Sequence, residues 1–427
     1  MQKIPIEEYK LSNGLRVVLS ASHKVPTVAV AVYYDVGSRN EQKGRSGFAH
    51  LFEHMMFEGS ENVPKTMHMK YISAAGGSMN GTTSEERTNY FETVPSHMLP
   101  LALWLEADRM RSLKITKENF ENQRETVKEE RRQGVDNQPY GEVWIKMRET
   151  AIKNWAYSHS VIGSMDDLNA ASVEDARDFF KTYYAPNNAV LAVAGKFNIS
   201  DITKLIEEYF GDISSSAPPP PVDTNEPPQN EQIETEIYDA KIAFPGVLFA
   251  YHIPKRRHHD YYPIVLLKQI LFDGRSARLY KRIVEDEEAA IECFGYVENS
   301  RGPALFPMWF IARDKDCGKV KKLFDEEIDI LLDKGVTEME LKKAKNALKT
   351  DYVEKLGACL GKAMIIAEFK LYDDNPDLIN TELDRYLQVT IEDIRKTAEK
   401  YLIKSNRTVL DVIPGTPDSH VTKENRK

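Results

Sequence analysis

The chain has 427 residues, of which 41% are hydrophobic and 29% charged, and its formal net charge is −9. That length exceeds one ordinary hydrophobic core, so two domains of about 200 residues each are expected. The acidic balance excludes the usual nucleic-acid binder, and no run of about 18 apolar residues is present to span a membrane.

The first residues, Met1-Gln2-Lys3-Ile4-Pro5-Ile6-Glu7-Glu8, lack the apolar core of a secretory leader, which favours a cytoplasmic over a periplasmic location. Residues 9–34 read as a hairpin of strands. Tyr9-Lys10-Leu11 turns at Ser12-Asn13-Gly14 into Leu15-Arg16-Val17-Val18-Leu19, and the β-rich run from Thr27 to Tyr34 suits a central strand. Gly37, Gly44 and Gly47 loosen the approach to Phe48-Ala49-His50-Leu51-Phe52-Glu53-His54-Met55-Met56-Phe57.

On a helix, His50 and His54 project from one face about one turn apart, with Glu53 beside them. Two neutral imidazoles at that spacing can grip one zinc ion, and the carboxylate can take a proton from water on it. The order is H-x-x-E-H, the reverse of the commoner H-E-x-x-H. The competing reading is a pair of histidines on a half-buried helix without a metal.

Met67–Ala75 reads as a short helix ended by Gly76-Gly77. Ser78–Ser84 is small and polar, and Thr88–Val94 resumes as a strand. The polar stretch suits either an edge strand that another chain can approach or a plain surface hairpin. Leu99–Arg111 is an amphipathic helix. Lys117–Gln133 is a highly charged one whose narrow apolar stripe is Phe120 and Val127. Glu130 lies roughly 60° from Val127 around that helix, whereas Glu129 lies about 160° away. Glu130 is therefore the acid carried inward, with Gln123 on the same face, and an inward carboxylate needs a cation or a metal as partner.

Helices are expected at Ser172–Tyr184 and Ile202–Phe210, and a strand at Asn187–Gly195. Ser214–Gln232 then holds Pro218-Pro219-Pro220-Pro221 and Pro227-Pro228, an extended, semi-rigid linker. Three cysteines (Cys293, Cys317, Cys359) match no metal or redox spacing and read as ordinary thiols. Adjacent His258 and His259 fall in a polar cluster and read as a solvated loop with diverging side chains.

Across the linker the chain repeats itself. His50–Gly59 aligns without gaps on Val265–Gly274, an offset of 215 residues, and both end in Phe-acid-Gly. Ser172-Val173-Glu174-Asp175 matches Thr390-Ile391-Glu392-Asp393 at an offset of 218, and Asn188 falls on Asn406. Apolar positions are kept, but His50, Glu53 and His54 become Val265, Lys268 and Gln269. The expected fold class is α+β, with two homologous domains: residues 1–213, a linker at 214–232, and 233–427 without a metal motif. The polar trio of the first copy is then functional, because packing alone did not need it in the second.

These residues resemble the pitrilysin-like (inverzincin) zinc metallopeptidases, in the short two-domain branch that includes the mitochondrial processing peptidase and many bacterial peptidases. The resemblance rests on Leu11–Val18, the His50–His54 helix, Gly76 to Tyr90, Gln123 to Glu130, Tyr184–Asn188 and Gly274–Tyr280. It implies that each domain is a mainly antiparallel sheet packed with helices, the two closing as a clamshell on an extended peptide. It implies Zn2+ as cofactor, with His50, His54 and Glu130 as ligands and Glu53 as general base. Substrate would add as a strand at Asn80-Gly81.

Two departures bear on activity. Gln123 stands where active members carry a glutamate that supports the zinc site. Val284 and Ile291 stand where the second half usually has an Arg and a Tyr that hold substrate and the developing oxyanion. Losing such donors typically costs about 2.7–4 kcal/mol in the transition state. The expectation is a zinc-bearing catalytic subunit whose related partner supplies the missing Arg and Tyr, or alternatively a homodimer. The competing expectation is a non-catalytic structural or peptide-binding subunit.

Overall fold

The computed structural model describes residues 3–416. The first sheet contains β1 (Glu7–Lys10), β2 (Arg16–Ala21), β3 (Thr27–Tyr34), β4 (Ser78–Thr83), β5 (Thr88–Pro95) and β6 (Ala189–Gly195), in the order β1-β2-β6-β3-β5-β4. The second contains β7 (Ile233–Asp239), β8 (Gly246–Ile253), β9 (Ala290–Gly295), β10 (Ala304–Ala312) and β11 (Arg407–Pro414), in the order β7-β11-β8-β10-β9. Both are antiparallel except for one pair each, β2 with β6 and β7 with β11. The sheets thus share one topology, with β1 an extra edge on the first, and the expected α+β class holds.

β1 and β2 form the expected hairpin, but β3 is not beside β2, because β6 lies between them. All seven residues of β6 are buried, so this apolar strand takes a central place. Val28, Val30 and Val32 of β3 face one core with Leu191 and Val193, while Ala29 and Ala31 face another with Ala192 and Ala194.

The valine side is covered by α1 (Phe48–Met55), α2 (Met67–Ala74), α3 (Leu99–Ser112) and α4 (Lys117–Arg131). The alanine side is covered by the helix Cys359–Asp373, which the small side chains let approach closely. This helix comes from the second repeat. Conversely α5 (Val143–Ala151), from the first repeat, packs on Leu248, Leu305 and Leu410 of the second sheet.

The compact units therefore cut the chain differently from the repeats. One comprises residues 1–129, 160–222 and 351–383, the other 130–159, 223–350 and 384–427. The cut near residue 129 falls inside the last turn of α4, which is continuous through Arg131.

The repeat recurs in its hydrogen bonds. Ser172 with Asp175 and Thr390 with Asp393 form matching capping boxes. Asn188 Nδ2 donates to the Tyr183 carbonyl at 2.8 Å, and Asn406 Nδ2 to the Tyr401 carbonyl at 2.8 Å. The proline-rich stretch has neither helix nor strand over residues 214–230. Ser216 pairs with Asn187, and the Glu226 carboxylate accepts from the amides of Lys153 and Asn154 at 2.8 and 2.9 Å. Among the described residues, no helix is long and apolar enough to cross a membrane.

Candidate metal centre

α1 has only eight residues, too few to hold a helix in isolation. Phe48, Ala49, Leu51, Phe52 and Met55 bury its inner face, where Phe52 meets the Tyr184 ring at 4.4 Å. Its start is held by the buried Glu41 carboxylate, which accepts from Gly47 N at 3.0 Å and Ala49 N at 2.7 Å. A carboxylate there also meets the positive end of the helix dipole. Gly47 has φ +85°, and a Cβ would stand 2.6 Å from the Ile162 carbonyl, so glycine is needed.

The outer face of α1 presents His50, Glu53 and His54, all half-buried. The two imidazoles stand edge to face with ring centres 4.9 Å apart. Glu130, on α4, joins them: one donor atom from each of His50, His54 and Glu130 lies within 4.8 Å of the others. Glu130 is exposed, so the expectation that it turns inward needs correcting. Its position on α4 aims it at the histidines, and water reaches the cluster. Two imidazole nitrogens and one carboxylate oxygen with an accessible side are a donor set suited to zinc. Gln123 is half-buried seven residues earlier on α4, within roughly 20° of Glu130 around the axis.

Beside α1 runs β4, the edge strand of the first sheet. Thr83 Oγ1 donates to Glu53 Oε2 at 2.6 Å. Gly81 is buried, and a Cβ there would stand 3.1 Å from Tyr90 Cδ1 and 3.2 Å from Glu53 Oε1. Asn80 is exposed, and its Oδ1 accepts from Gly81 N at 3.0 Å. The structure thus brings His50, His54 and Glu130 together, and places Glu53 against the strand that carries Asn80 and Gly81.

Sequence reasoning missed Glu41, Thr83 and a buried polar cluster beneath the site. His68 of α2, Glu92 of β5, and Glu106 and Arg109 of α3 are each at most 4% exposed. Burial, then Arg109, pulls His68 down to about 3. Burial pushes Glu92 up to about 7 and Glu106 up to about 8, against the opposing pull of Arg109. The signal was an acid at Glu92 inside an apolar strand and a Glu-Ala-Asp-Arg run inside an amphipathic helix.

His258 and His259 lie in the expected loop, but their side chains do not diverge: the ring centres are 4.1 Å apart. Both lean on Asp260, whose carboxylate already accepts from Lys400 Nζ at 2.8 Å and Tyr401 OH at 2.9 Å. That ammonium neutralises the acid a metal would need. Cys317 and Cys359 are buried and Cys293 half-buried, all as free thiols.

A two-sheet α+β chain with a His-His-Glu cluster beside a strand edge is the architecture of a metallopeptidase family. Residues 16–164 match the family described as Insulinase (Peptidase family M16), and residues 170–348 match Peptidase M16 inactive domain. The chain belongs to the pitrilysin-like peptidase M16 family. It is 29% identical over 415 residues to zinc protease PqqE of Helicobacter pylori, covering 96% of this chain and 93% of that one. It is 23% identical over 415 residues to the mitochondrial-processing peptidase subunit beta of Lentinula edodes, covering 92% and 86%. A crystal structure of a protease from Helicobacter pylori superposes with a TM-score of 0.93 at 26% identity, covering 96% of this chain and all of that one.

Proposed function

We propose that this chain is a zinc-dependent endopeptidase that cleaves extended peptides or unfolded segments. In this reading His50, His54 and Glu130 hold Zn2+, with Gln123 as a supporting hydrogen-bond partner. A zinc ion there supplies Lewis acidity, which polarises a carbonyl and makes water acidic enough to be deprotonated near neutral pH. Glu53 is the general base that accepts the proton of the attacking water and later delivers it to the leaving amine. Thr83 holds Glu53 Oε2 through its hydroxyl and so orients the carboxylate for that exchange. The peptide adds as a strand to the open edge of β4 at Asn80 and Gly81, where the missing side chain of Gly81 keeps the space between Tyr90 and Glu53 uncrowded.

The observation that carries the reading is the His50–His54–Glu130 cluster within 4.8 Å, on the repeat that alone has the polar trio. The catalytic residues then lie within residues 1–213, while residues 233–427, beyond the linker at 214–232, supply no metal ligand. Val284 is half-buried against the second core and Ile291 is 45% exposed on β9. Neither side chain can donate a hydrogen bond. A related partner chain that supplies an Arg and a Tyr fits this gap, and one relative is itself named a subunit. The same gap favours, as the second reading, a peptide-binding subunit without turnover.

The test is zinc content together with a cleavage map on mixed peptides, for the chain alone and with a co-encoded homologue. One zinc per chain and cleavage that appears or rises with the homologue supports the proposal. Glu53→Gln should keep the metal and abolish cleavage; turnover that survives it would remove Glu53 as base. Zinc without cleavage under any pairing leaves the peptide-binding reading.

A further inference from the structure

The buried cluster below the site has more charge than one arginine can balance. Arg109 is 2% exposed and donates from Nε to Glu106 Oε2 at 3.0 Å, with a second bond from Nη2 to Glu106 Oε1. His68 Nε2 and Glu92 Oε1 are 2.6 Å apart. One donor atom from each of His68, Glu92 and Glu106 lies within 4.8 Å of the others. Glu92 and Glu106 are both fully buried and bring carboxylate oxygens within 4.8 Å of each other, a spacing at which two unscreened anions repel strongly and one is favoured to hold a proton. One proton between them leaves one negative charge, which matches Arg109.

The same guanidinium reaches towards the candidate centre. It stacks on the Tyr90 ring at 4.3 Å and on Phe57 at 5.3 Å. Tyr90 pairs across the sheet with Gly81 and forms one wall of the gap whose other wall is Glu53. Tyr34 and Tyr184 close the remaining sides: Tyr34 meets Tyr90 edge to face at 6.1 Å and Tyr184 at 4.7 Å. His68 from α2, Arg109 from α3 and Tyr34 from β3 face the carboxyl pair, while Asp108 faces His68, and Tyr90 and Tyr184 face Arg109.

We propose that Arg109 is a positioning residue for the β4 edge and Glu53, acting through Tyr90, and that a proton shared by Glu92 and Glu106 keeps it seated. This rests on the peptidase reading for its catalytic consequence but not for its protonation. With the proton present, Arg109 faces a single carboxylate and stays over the Tyr90 ring. When the proton leaves, the second carboxylate draws the guanidinium off the ring, and the gap that Gly81 keeps open loses its wall. A metal in the cluster is disfavoured, because Arg109 occupies both oxygens of Glu106.

Two variants test this. Glu92→Gln fixes the cluster at one negative charge with little change in shape. It is expected to bind one zinc, and to remove an alkaline step present in the wild type, both in thermal midpoint against pH and in kcat against pH. Arg109→Lys keeps the charge but loses the guanidinium over the Tyr90 ring and the paired bonds to Glu106. It is expected to lower kcat at least tenfold with KM changed less than threefold, at wild-type zinc content. An unchanged alkaline step in Glu92→Gln, a wild-type kcat in Arg109→Lys, or a second zinc lost on Glu92→Gln would each overturn the proposal. If the wild type cleaves nothing, the peptidase reading fails, while the thermal profiles and zinc counts still decide whether the cluster shares a proton.

Discussion

Thr83, on the edge strand, donates a 2.6 Å hydrogen bond to the carboxylate of Glu53, on helix α1. The bond ties the candidate base to the strand on which a peptide would lie. A hydrogen bond to a charged group contributes about 1.5–3 kcal/mol. Thr83→Val keeps the shape and removes this donor, which weakens the orientation of the Glu53 carboxylate. Peptide cleavage should fall about tenfold, with zinc content unchanged, as read by steady-state kinetics beside metal analysis.

Gly81 is the second point of contact between strand and base. Its absent side chain leaves a narrow gap in which a methyl group would crowd Tyr90 at 3.1 Å and Glu53 at 3.2 Å. Gly81→Ala should therefore fold, because Glu53 can yield by a few tenths of an ångström, but it should displace the carboxylate. The expected result is a larger loss in kcat/KM than in thermal midpoint, and Gly81→Val should extend the loss.

The start of α1 depends on Glu41, whose two oxygens satisfy the amides of Gly47 and Ala49. Glu41→Ala leaves two buried donors unmet at the positive end of an eight-residue helix. We expect a loss of about 2–3 kcal/mol in denaturant unfolding. Zinc affinity should fall with it, since His50 lies only one position beyond Ala49. Glu41→Gln, which can accept only one of the two bonds, should fall between.

Stability should also depend on pH through the buried cluster, and the sign can be worked out. Glu92 and Glu106 are raised from 4.5 to about 7 and about 8. Between those limits the folded chain holds more protons than the unfolded one, so stability falls as pH rises. His68 is lowered from 6.5 to about 3 and acts oppositely, since there the unfolded chain binds the extra proton. With two carboxyls raised against one imidazole lowered, the His68 trend offsets only part of the fall between pH 4.5 and 6.5. Above pH 6.5 only the carboxyl pair remains, and the thermal midpoint should drop up to about pH 8. A midpoint that climbs through that window would contradict the buried, shared proton.

Much of the site was legible because its chemistry is local. The spacing of His50, Glu53 and His54 is a property of one helix turn, and the wheel position of Glu130 follows from Val127 three residues before it. The degenerate copy at Val265–Gly274 separated packing from chemistry. Long-range features were not legible. Nothing local in Ala189–Gly195 says that it enters between β2 and β3, since an apolar strand fits any central slot. Thr83 looks like any polar strand residue until the register sets it against Glu53. The exposure of Glu130 was misread because a helical wheel gives direction but not depth.

The exchange of helices between the repeats has a consequence for synthesis. The valine- and alanine-lined faces of the first sheet are both needed to bury β3 and β6. The helix that covers the alanine face, Cys359–Asp373, leaves the ribosome only after most of the chain. The first unit draws residues up to 383 of 427, so it cannot close until most of the second repeat has been made. Until then Ala29, Ala31, Ala192 and Ala194 present an open apolar surface. A chain severed in the proline-rich stretch should thus yield two fragments that fold on mixing and precipitate apart. Helix α1, though written in the first quarter of the chain, comes to rest on a sheet whose other face waits for Cys359–Asp373.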